Sequence, residues 1–348
     1  MPAEFAERLL HWFDQHGRHD LPWQHPRTPY RVWLAEIMLQ QTQVQTVLPY
    51  YSRFLAALPT LPDLAAAEHD TVMALWSGLG YYARARNLHA AARRCVERHD
   101  GELPAEFEAL SALPGIGRST AGAILAQAHG LRFAILDGNV KRVLCRFHGV
   151  RGWPGASAVD KQLWQRSEAH LPATRLADYT QAIMDFGATL CTRSDPACVL
   201  CPLQDECVAR IEGVTGSLPE SRPGKPLPTR RCVLLIMHDA DGRVLLVRRP
   251  PTGVWAGLWS LPETPDHDSA RHWLQHHCDA DFDHARAHAE LEHVFSHYRL
   301  QAEPLHWTGV RSRNGIADNS DLRWVERHEL GATGLPAPIR KLLATLSD

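Results

Sequence analysis

Four cysteines stand within seventeen residues, Cys191, Cys198, Cys201 and Cys207, in the spacing C-x6-C-x2-C-x5-C. Four thiolates give one ligand to each iron of a [4Fe–4S] cluster, and they also satisfy tetrahedral Zn²⁺. Structural zinc sites more often use two close pairs, whereas this run holds one C-x2-C between unequal gaps, so spacing favours the cluster and leaves zinc open. A second stretch, L-P-G-I-G-R-S-T-A-G at 113–122, is followed by D-G-N-V-K-R at 137–142. A glycine-rich turn that opens a helix aims unpaired backbone N–H groups outward, as a phosphate site requires. Gly115 and Gly117 suit positions needing a positive φ or close backbone approach; an ordinary αα-hairpin would use the same glycines. Two carboxylates complete the set. Glu36 borders the apolar stripe Tyr30, Trp33, Leu34, Ile37 and Met38, where burial would raise its pKa and keep it protonated; the ordinary alternative is a solvated helix glutamate. Asp137 is placed to cap a helix beginning near Val140, and a carboxylate fed by backbone N–H groups stays ionised.

The elements that must hold these groups are mostly helical over 1–212. Thr28 and Pro29 read as the N-cap and first residue of the Glu36 helix. Further helices fit 46–57, 69–76, 83–98, 119–129, 139–147, 158–169 and 175–190. Residues 213–228, rich in proline and without apolar periodicity, form a linker. Beyond it, 231–237 and 244–247 read as strands of an opening hairpin, 269–277 as a helix, 291–300 as strand and 336–346 as a closing helix. The expected fold is therefore α+β: an all-α region, a linker, and a mixed α/β domain over 229–348.

At 348 residues the chain is long enough for two or three domains. Its composition, 45% hydrophobic and 22% charged, is that of an ordinary globular protein. The net charge is −2, with 21 Lys+Arg against 22 Asp+Glu over 1–212, so the overall charge gives no support for nucleic acid binding. A basic face would have to come from arrangement. The acid-bearing N-terminus is unlike a signal peptide, and no apolar run reaches the roughly 18 residues of a membrane span. Eight cysteines without a secretory signal point to a reducing compartment, hence a cytoplasmic protein, with Cys95, Cys145, Cys232 and Cys278 as packing residues or surface thiols.

The hairpin, its following aspartate and the cysteine spacing resemble the helix-hairpin-helix DNA glycosylases related to endonuclease III. W-L-A-E-I-M-L-Q-Q-T-Q, G-L-G-Y-Y-A-R-A-R-N, L-P-G-I-G-R-S-T-A-G and I-L-D-G-N-V-K-R-V together resemble the adenine DNA glycosylases that act on adenine opposite 8-oxoguanine. That resemblance runs over nearly the whole chain. It implies a helical barrel at 24–133, a cluster domain of 1–23 with 134–212, and a [4Fe–4S] cluster on the four cysteines. It also implies that Glu36 protonates adenine N7 and that Asp137, helped by Asn139, stabilises or traps the sugar cation. Two carboxyls in opposite protonation states are what glycosidic cleavage uses. In bifunctional relatives a lysine stands at the position of Ser119, and its amine forms a Schiff base; serine cannot, so strand nicking should be weak. Gln41 and Tyr81 would wedge into the stack, with Thr42 and Leu79 beside 8-oxoguanine; Gly115, Gly117, Ser119 and Arg193 would meet the DNA backbone, and Trp23 and Asp185 would surround the flipped adenine. The implied partner is double-stranded DNA with A:8-oxoguanine or A:G mispairs, bound by a monomer of bacterial type associated with the nucleoid. Residues 213–228 could host a sliding clamp, although nothing in them is specific for one.

Gly257, Glu263 and Arg271 satisfy G-x5-E-x7-R of a Nudix box, but His272, Gln275, His276 and Cys278 stand where Glu, Glu, Glu and Gly belong. Without those oxygen ligands a Mg²⁺ site is not credible. The domain resembles a hydrolytically inactive Nudix fold that reads the lesion, with Phe295, Ser296 and His297 as the reading loop. His276, His277, His284, His288 and His293 show no metal spacing and read as surface. The competing classes are a noncatalytic DNA-binding iron–sulfur protein, which Glu36 and Asp137 argue against, and a Nudix phosphohydrolase.

Overall fold

Thr28 caps the helix Pro29–Leu39, its Oγ1 accepting from the Arg31 N–H at 3.3 Å. Pro29 follows in the first turn, where a missing N–H leaves no bond unmade. The computed structural model describes residues 2–222, 224, 226–313 and 321–346; Pro223 and Lys225 of the linker lie outside the described residues. The chain divides into two compact units, Met1–Ala66 with Asn87–Gly224, and Ala67–Arg86 with Lys225–Asp348.

The first unit is helical. Its hairpin runs from the short helix Phe107–Ser111 through Gly115 into the helix Arg118–His129, and the Asp137 helix follows as Gly138–His148. Gly115 has φ +78° and lies so close to Asn87 that a Cβ would come within 2.8 Å of the Asn87 Cβ. Gly117 departs from the expectation: its φ is −89° and nothing crowds it. It is the N-cap of Arg118–His129, a start that no side chain caps. Pro2–His16 packs on Leu176–Asp185, burying Leu9, Phe13, Leu144, Ile183 and Phe186 together. The helix expected over 175–190 is α-helical only to Asp185 and widens into a π-helical turn, Phe186–Leu190, that ends at Cys191. Gly187 in that turn lies against Asn139, where a Cβ would come within 2.6 Å of the Asn139 Cβ. π turns of this kind are frequent beside functional sites.

Among the described residues the second unit holds ten strands: β1 Thr229–Met237, β2 Val244–Arg248, β3 Trp259–Ser260, β4 Glu263–Thr264, β5 Cys278–Asp279, β6 Arg286–Ala287, β7 Leu291–Val294, β8 Arg299–Trp307, β9 Arg311–Ser312 and β10 Leu322–Val325. The expected opening hairpin closes on a single antiparallel bridge, His238↔Val244, and does not extend into a ladder. β1 pairs in parallel with β8, from Thr229↔Arg299 to Met237↔Trp307, and antiparallel with β4, while β2 pairs with β10 and β3. The run V-L-L-I-M explains this: it is apolar on both faces, as a central parallel strand must be. Val233, Leu235 and Met237 pack toward the helix His267–His277, whereas Cys232, Leu234 and Ile236 pack toward the C-terminal helix Ala337–Thr345. The strand expected over 291–300 is broken. β7 and β8 form an antiparallel hairpin whose turn is Phe295–Tyr298, closed by the Phe295 N–H donating to Tyr298 O at 2.8 Å.

The segment Ala67–Arg86 belongs to this unit through specific bonds. Ser77 Oγ and Tyr82 OH both donate to Leu335 O at 3.1 Å, and Arg340 Nη2 donates to Ser77 Oγ at 2.7 Å. Arg86 donates to Ala256 O, and Arg248 pairs with Asp70. Among the described residues no helix is long and apolar enough to cross a membrane.

Candidate active site

Glu36 sits on Pro29–Leu39 among Trp33, Leu34, Ile37 and Met38, all at most 2% exposed. Its pKa is pushed up to about 7, first by burial and then by the neighbouring charge of Asp137. Gln127, from the hairpin helix, donates from Nε2 to Glu36 Oε1 at 3.0 Å and opposes that rise. Asp137 caps its helix as expected, Oδ1 accepting from the Val140 N–H at 2.8 Å and Oδ2 from Asn139 Nδ2 at 3.3 Å. Burial nevertheless moves its pKa upward; the Val140 and Asn139 donors and the Arg142 charge hold it back. Burial raises both carboxyls, and the Asp137 charge adds to the rise at Glu36.

Arg142 was not evident from the sequence. It donates to Asn139 Oδ1 at 2.8 Å, to Gly187 O at 2.5 Å and to Cys191 O at 2.7 Å, tying the Asp137 helix to the first cysteine of the loop. The signal available was its place in D-G-N-V-K-R, one turn after Gly138. Gln127 was missed too; an amide inside A-G-A-I-L-A-Q, on a helix face that is otherwise buried and apolar, was its signal. Ser119 Oγ accepts from the Leu136 N–H at 2.9 Å, fastening the start of the hairpin helix to the residue before Asp137.

Cys191, Cys198, Cys201 and Cys207 are all partly exposed, and the charges of the other three act on Cys201. The Cys201 thiol is pushed up to about 12, chiefly by burial and then by the charges of Cys191, Cys207 and Cys198. Four thiolates so placed need a cationic partner, and Arg146 supplies one charge. It is 2% exposed, donates to Cys191 Sγ at 3.4 Å, and pins the loop by Thr192 O and Arg193 O at 2.6 and 3.0 Å. The donor set fits an iron–sulfur cluster. Among the described residues no three His, Cys, Asp or Glu side chains converge closely enough to hold a single metal ion, and none of the eight cysteines forms a disulfide. Cys95, Cys145, Cys232 and Cys278 are buried packing residues.

Gln41 and Tyr81 are exposed and have φ +58° and +47°, two of five non-glycine residues with positive φ among those described. Thr42 is partly exposed, its N–H donating to Leu39 O; Leu79 is buried at 6% exposure. Trp23 is a core residue, edge-on to Tyr51 at 5.4 Å. Asp185 is fully buried and committed to structure: it accepts from Arg18 N at 2.8 Å, Arg18 Nε at 2.9 Å and Gln181 Nε2 at 2.7 Å. The Arg193 side chain is exposed.

In the second unit Glu263 is held by Arg230 and Arg249, and Arg271 reaches Asp283 at 3.0 Å. Phe295 anchors the β7–β8 turn against Trp255, His293 and Tyr298, leaving Ser296 and His297 exposed and joined Oγ to Nδ1 at 3.3 Å. The histidines expected at the surface are not all there. His277 stacks on Trp273, His293 packs on Phe295, and His288 bonds His306, which in turn bonds His238. His276 and His284 are exposed.

A family model described as HhH-GPD superfamily base excision DNA repair protein matches residues 34–169, and one described as NUDIX domain matches 232–345. The adenine DNA glycosylase of Buchnera aphidicola subsp. Acyrthosiphon pisum (strain APS) is 34% identical over 339 residues, 97% of this chain and 96% of that protein. The adenine DNA glycosylase of Homo sapiens is 34% identical over 401 residues, 97% of this chain and 73% of that protein. Among solved structures, a thermostable thymine-DNA glycosylase is similar with a TM-score of 0.56 at 27% identity, over 61% of this chain and 97% of that one. A non-covalent endonuclease III–DNA complex, TM-score 0.52 at 22% identity over 60% of this chain and 94% of that one, shares the fold.

Proposed function

Because the chain belongs to the adenine DNA glycosylase family of base-excision repair enzymes, we propose that it hydrolyses the N-glycosidic bond of adenine mispaired with 8-oxoguanine or guanine in double-stranded DNA. The observation that carries this reading is the carboxyl pair: Glu36 with its pKa near 7 beside the capped Asp137. Glu36 gives its proton to adenine N7 as the bond from the base to the sugar breaks and its electron pair leaves with the base. Asp137 faces the developing sugar cation with its negative charge, and Asn139, fixed by Arg142, keeps that carboxylate oriented. Water then adds to the anomeric carbon and releases its proton to solvent, from which the Glu36 carboxylate regains the one it gave. Ser119 offers no amine, and its oxygen is engaged by Leu136, so the enzyme is monofunctional.

Adenine must leave the duplex before this chemistry, and the exposed, left-handed Gln41 and Tyr81 are suited to fill the gap. The uncapped start at Gly117, with Gly115 and Ser119 beside it, offers backbone N–H groups to a phosphate, and Arg193 a side chain. Thr42 and Leu79 stand in the stretches that would meet 8-oxoguanine, and the buried Trp23 and Asp185 hold the positions around the flipped adenine. The four cysteines would hold a [4Fe–4S] cluster, which when bound supplies a rigid frame for the loop 192–197. Glu263 is neutralised by two arginines and the other carboxylates are missing, so the Nudix-like domain is inactive as a hydrolase; it presents Ser296 and His297 to the lesion. The protein works as a monomer at the nucleoid. Glu36→Gln tests the reading: DNA binding should persist while base release falls by about 10²–10⁴-fold. Unchanged release would remove the general acid.

A further inference from the structure

Gln127 is 4% exposed, on the buried face of the hairpin helix. A buried amide is unfavourable unless both ends are hydrogen-bonded. Here Nε2 donates to Glu36 Oε1 at 3.0 Å, while Gln127 Oε1 has no hydrogen-bond partner among the described residues. Leucine, of similar volume, would fill the same space without an unpaired oxygen. The glutamine therefore does not serve stability best, and what it does touch is the candidate acid.

Resting on the reading of Glu36 as general acid, we propose that Gln127 is a positioning residue that decides which Glu36 oxygen carries the transferable proton. An N–H donor needs an oxygen lone pair, and a protonated carboxyl oxygen is a poor acceptor. With Gln127 Nε2 engaging Oε1, the proton resides on Oε2, the oxygen left for the substrate. After proton transfer the same N–H stabilises the carboxylate that remains. The other charged groups acting on this carboxyl are Asp137, which disfavours its ionisation, and, one step removed through Asn139 and Asp137, Arg142. Gln127 is the neighbour that works in the opposite sense to Asp137.

The test is the pH profile of single-turnover adenine release from an A:8-oxoguanine duplex by the full chain, compared with Gln127→Leu and Gln127→Met. General-acid activity is lost as pH rises through the Glu36 pKa. Removing the donor raises that pKa, so the alkaline limb should move upward by about half to one pH unit, and the plateau rate should fall about tenfold as the proton is no longer confined to one oxygen. The two replacements differ in shape, so a shift common to both does not come from packing. A lower plateau with an unmoved limb in both variants would make Gln127 a packing residue and overturn the proposal. A downward shift would mean that the amide oxygen faces Glu36, and would overturn it equally. Glu36→Gln separates the two levels: retained base release there removes the general acid itself, whereas loss there with an unmoved limb in the Gln127 variants defeats this inference alone.

Discussion

Glu36 illustrates how one residue acquires a task from its surroundings. An ordinary glutamate is ionised at neutral pH; burial and the nearby Asp137 charge bring this one up to about 7. The wild-type rate of base release should therefore decline as pH rises through about 7, which a single-turnover pH profile checks. The same shift makes a stability prediction. The folded state binds this proton more tightly than the unfolded chain, so the stabilisation it gives is complete below the ordinary value of 4.5 and lost as pH rises toward about 7. Glu36→Gln should then melt at a higher temperature than wild type at about pH 8, and at an equal or lower one at about pH 4, by calorimetry. Equal melting at both would place the carboxyl in water. The sequence showed both carboxylates, because a helix period and a capping position can be read from residue types. Gln127, Arg142 and Arg146 stayed hidden because their partners lie 91, 45 and 45 residues away for the bonds to Glu36, Gly187 and Cys191. The bond that Arg18 gives to Asp185 was hidden for a like reason, spanning 167 residues.

At the scale of elements, the turn Gly78–Tyr81 of the second unit is held in a constrained conformation. Gly78, Gly80 and Tyr81 all have positive φ, and for Tyr81 that conformation stores about 1–3 kcal/mol. The strain is held by Trp76 Nε1 donating to Gly80 O at 3.2 Å and by Arg84 Nη2 donating to Leu79 O and Gly80 O at 3.1 and 3.2 Å. Ser77 and Tyr82, on either side of the turn, are fixed to Leu335 and Arg340. If Tyr81 is the wedge, Arg340→Ala should slow adenine release from a duplex about tenfold through misplacement of the turn. It should add nothing in a Tyr81→Ala background. Additive losses in the double variant would separate the helix Ala337–Thr345 from the turn. Helix positions over 1–212 were legible because the 3.6 period, caps and glycine stops are local. The β1–β2 hairpin was not, since strand choice in a two-faced apolar run depends on a partner, β8, some 70 residues away: Thr229 pairs with Arg299. The break at Phe295 and the π turn at Gly187 likewise answer to packing rather than to local propensity.

For the molecule as a whole, a net charge of −2 means that DNA affinity must come from a local arrangement of N–H donors and arginines. The two units part between Gly224 and Lys225, inside the proline-rich stretch 213–228, but nothing in the sequence signals the attachment of Ala67–Arg86 to Lys225–Asp348, because it rests on bonds such as Ser77 to Leu335 that only the fold creates. Ending the chain at Gly224 should therefore lower the melting temperature of what remains as well as remove Ser296 and His297, and its adenine release should no longer favour 8-oxoguanine over guanine as the opposing base. A retained preference would locate lesion reading elsewhere. The central claim, a monofunctional adenine glycosylase that reads its mispair, is tested most directly by single turnover on end-labelled duplexes with adenine opposite 8-oxoguanine, guanine or thymine, each with and without alkali. The account predicts strand cleavage at adenine only after alkali, fastest opposite 8-oxoguanine and negligible opposite thymine. Strong nicking without alkali, or equal rates for all three partners, would contradict it.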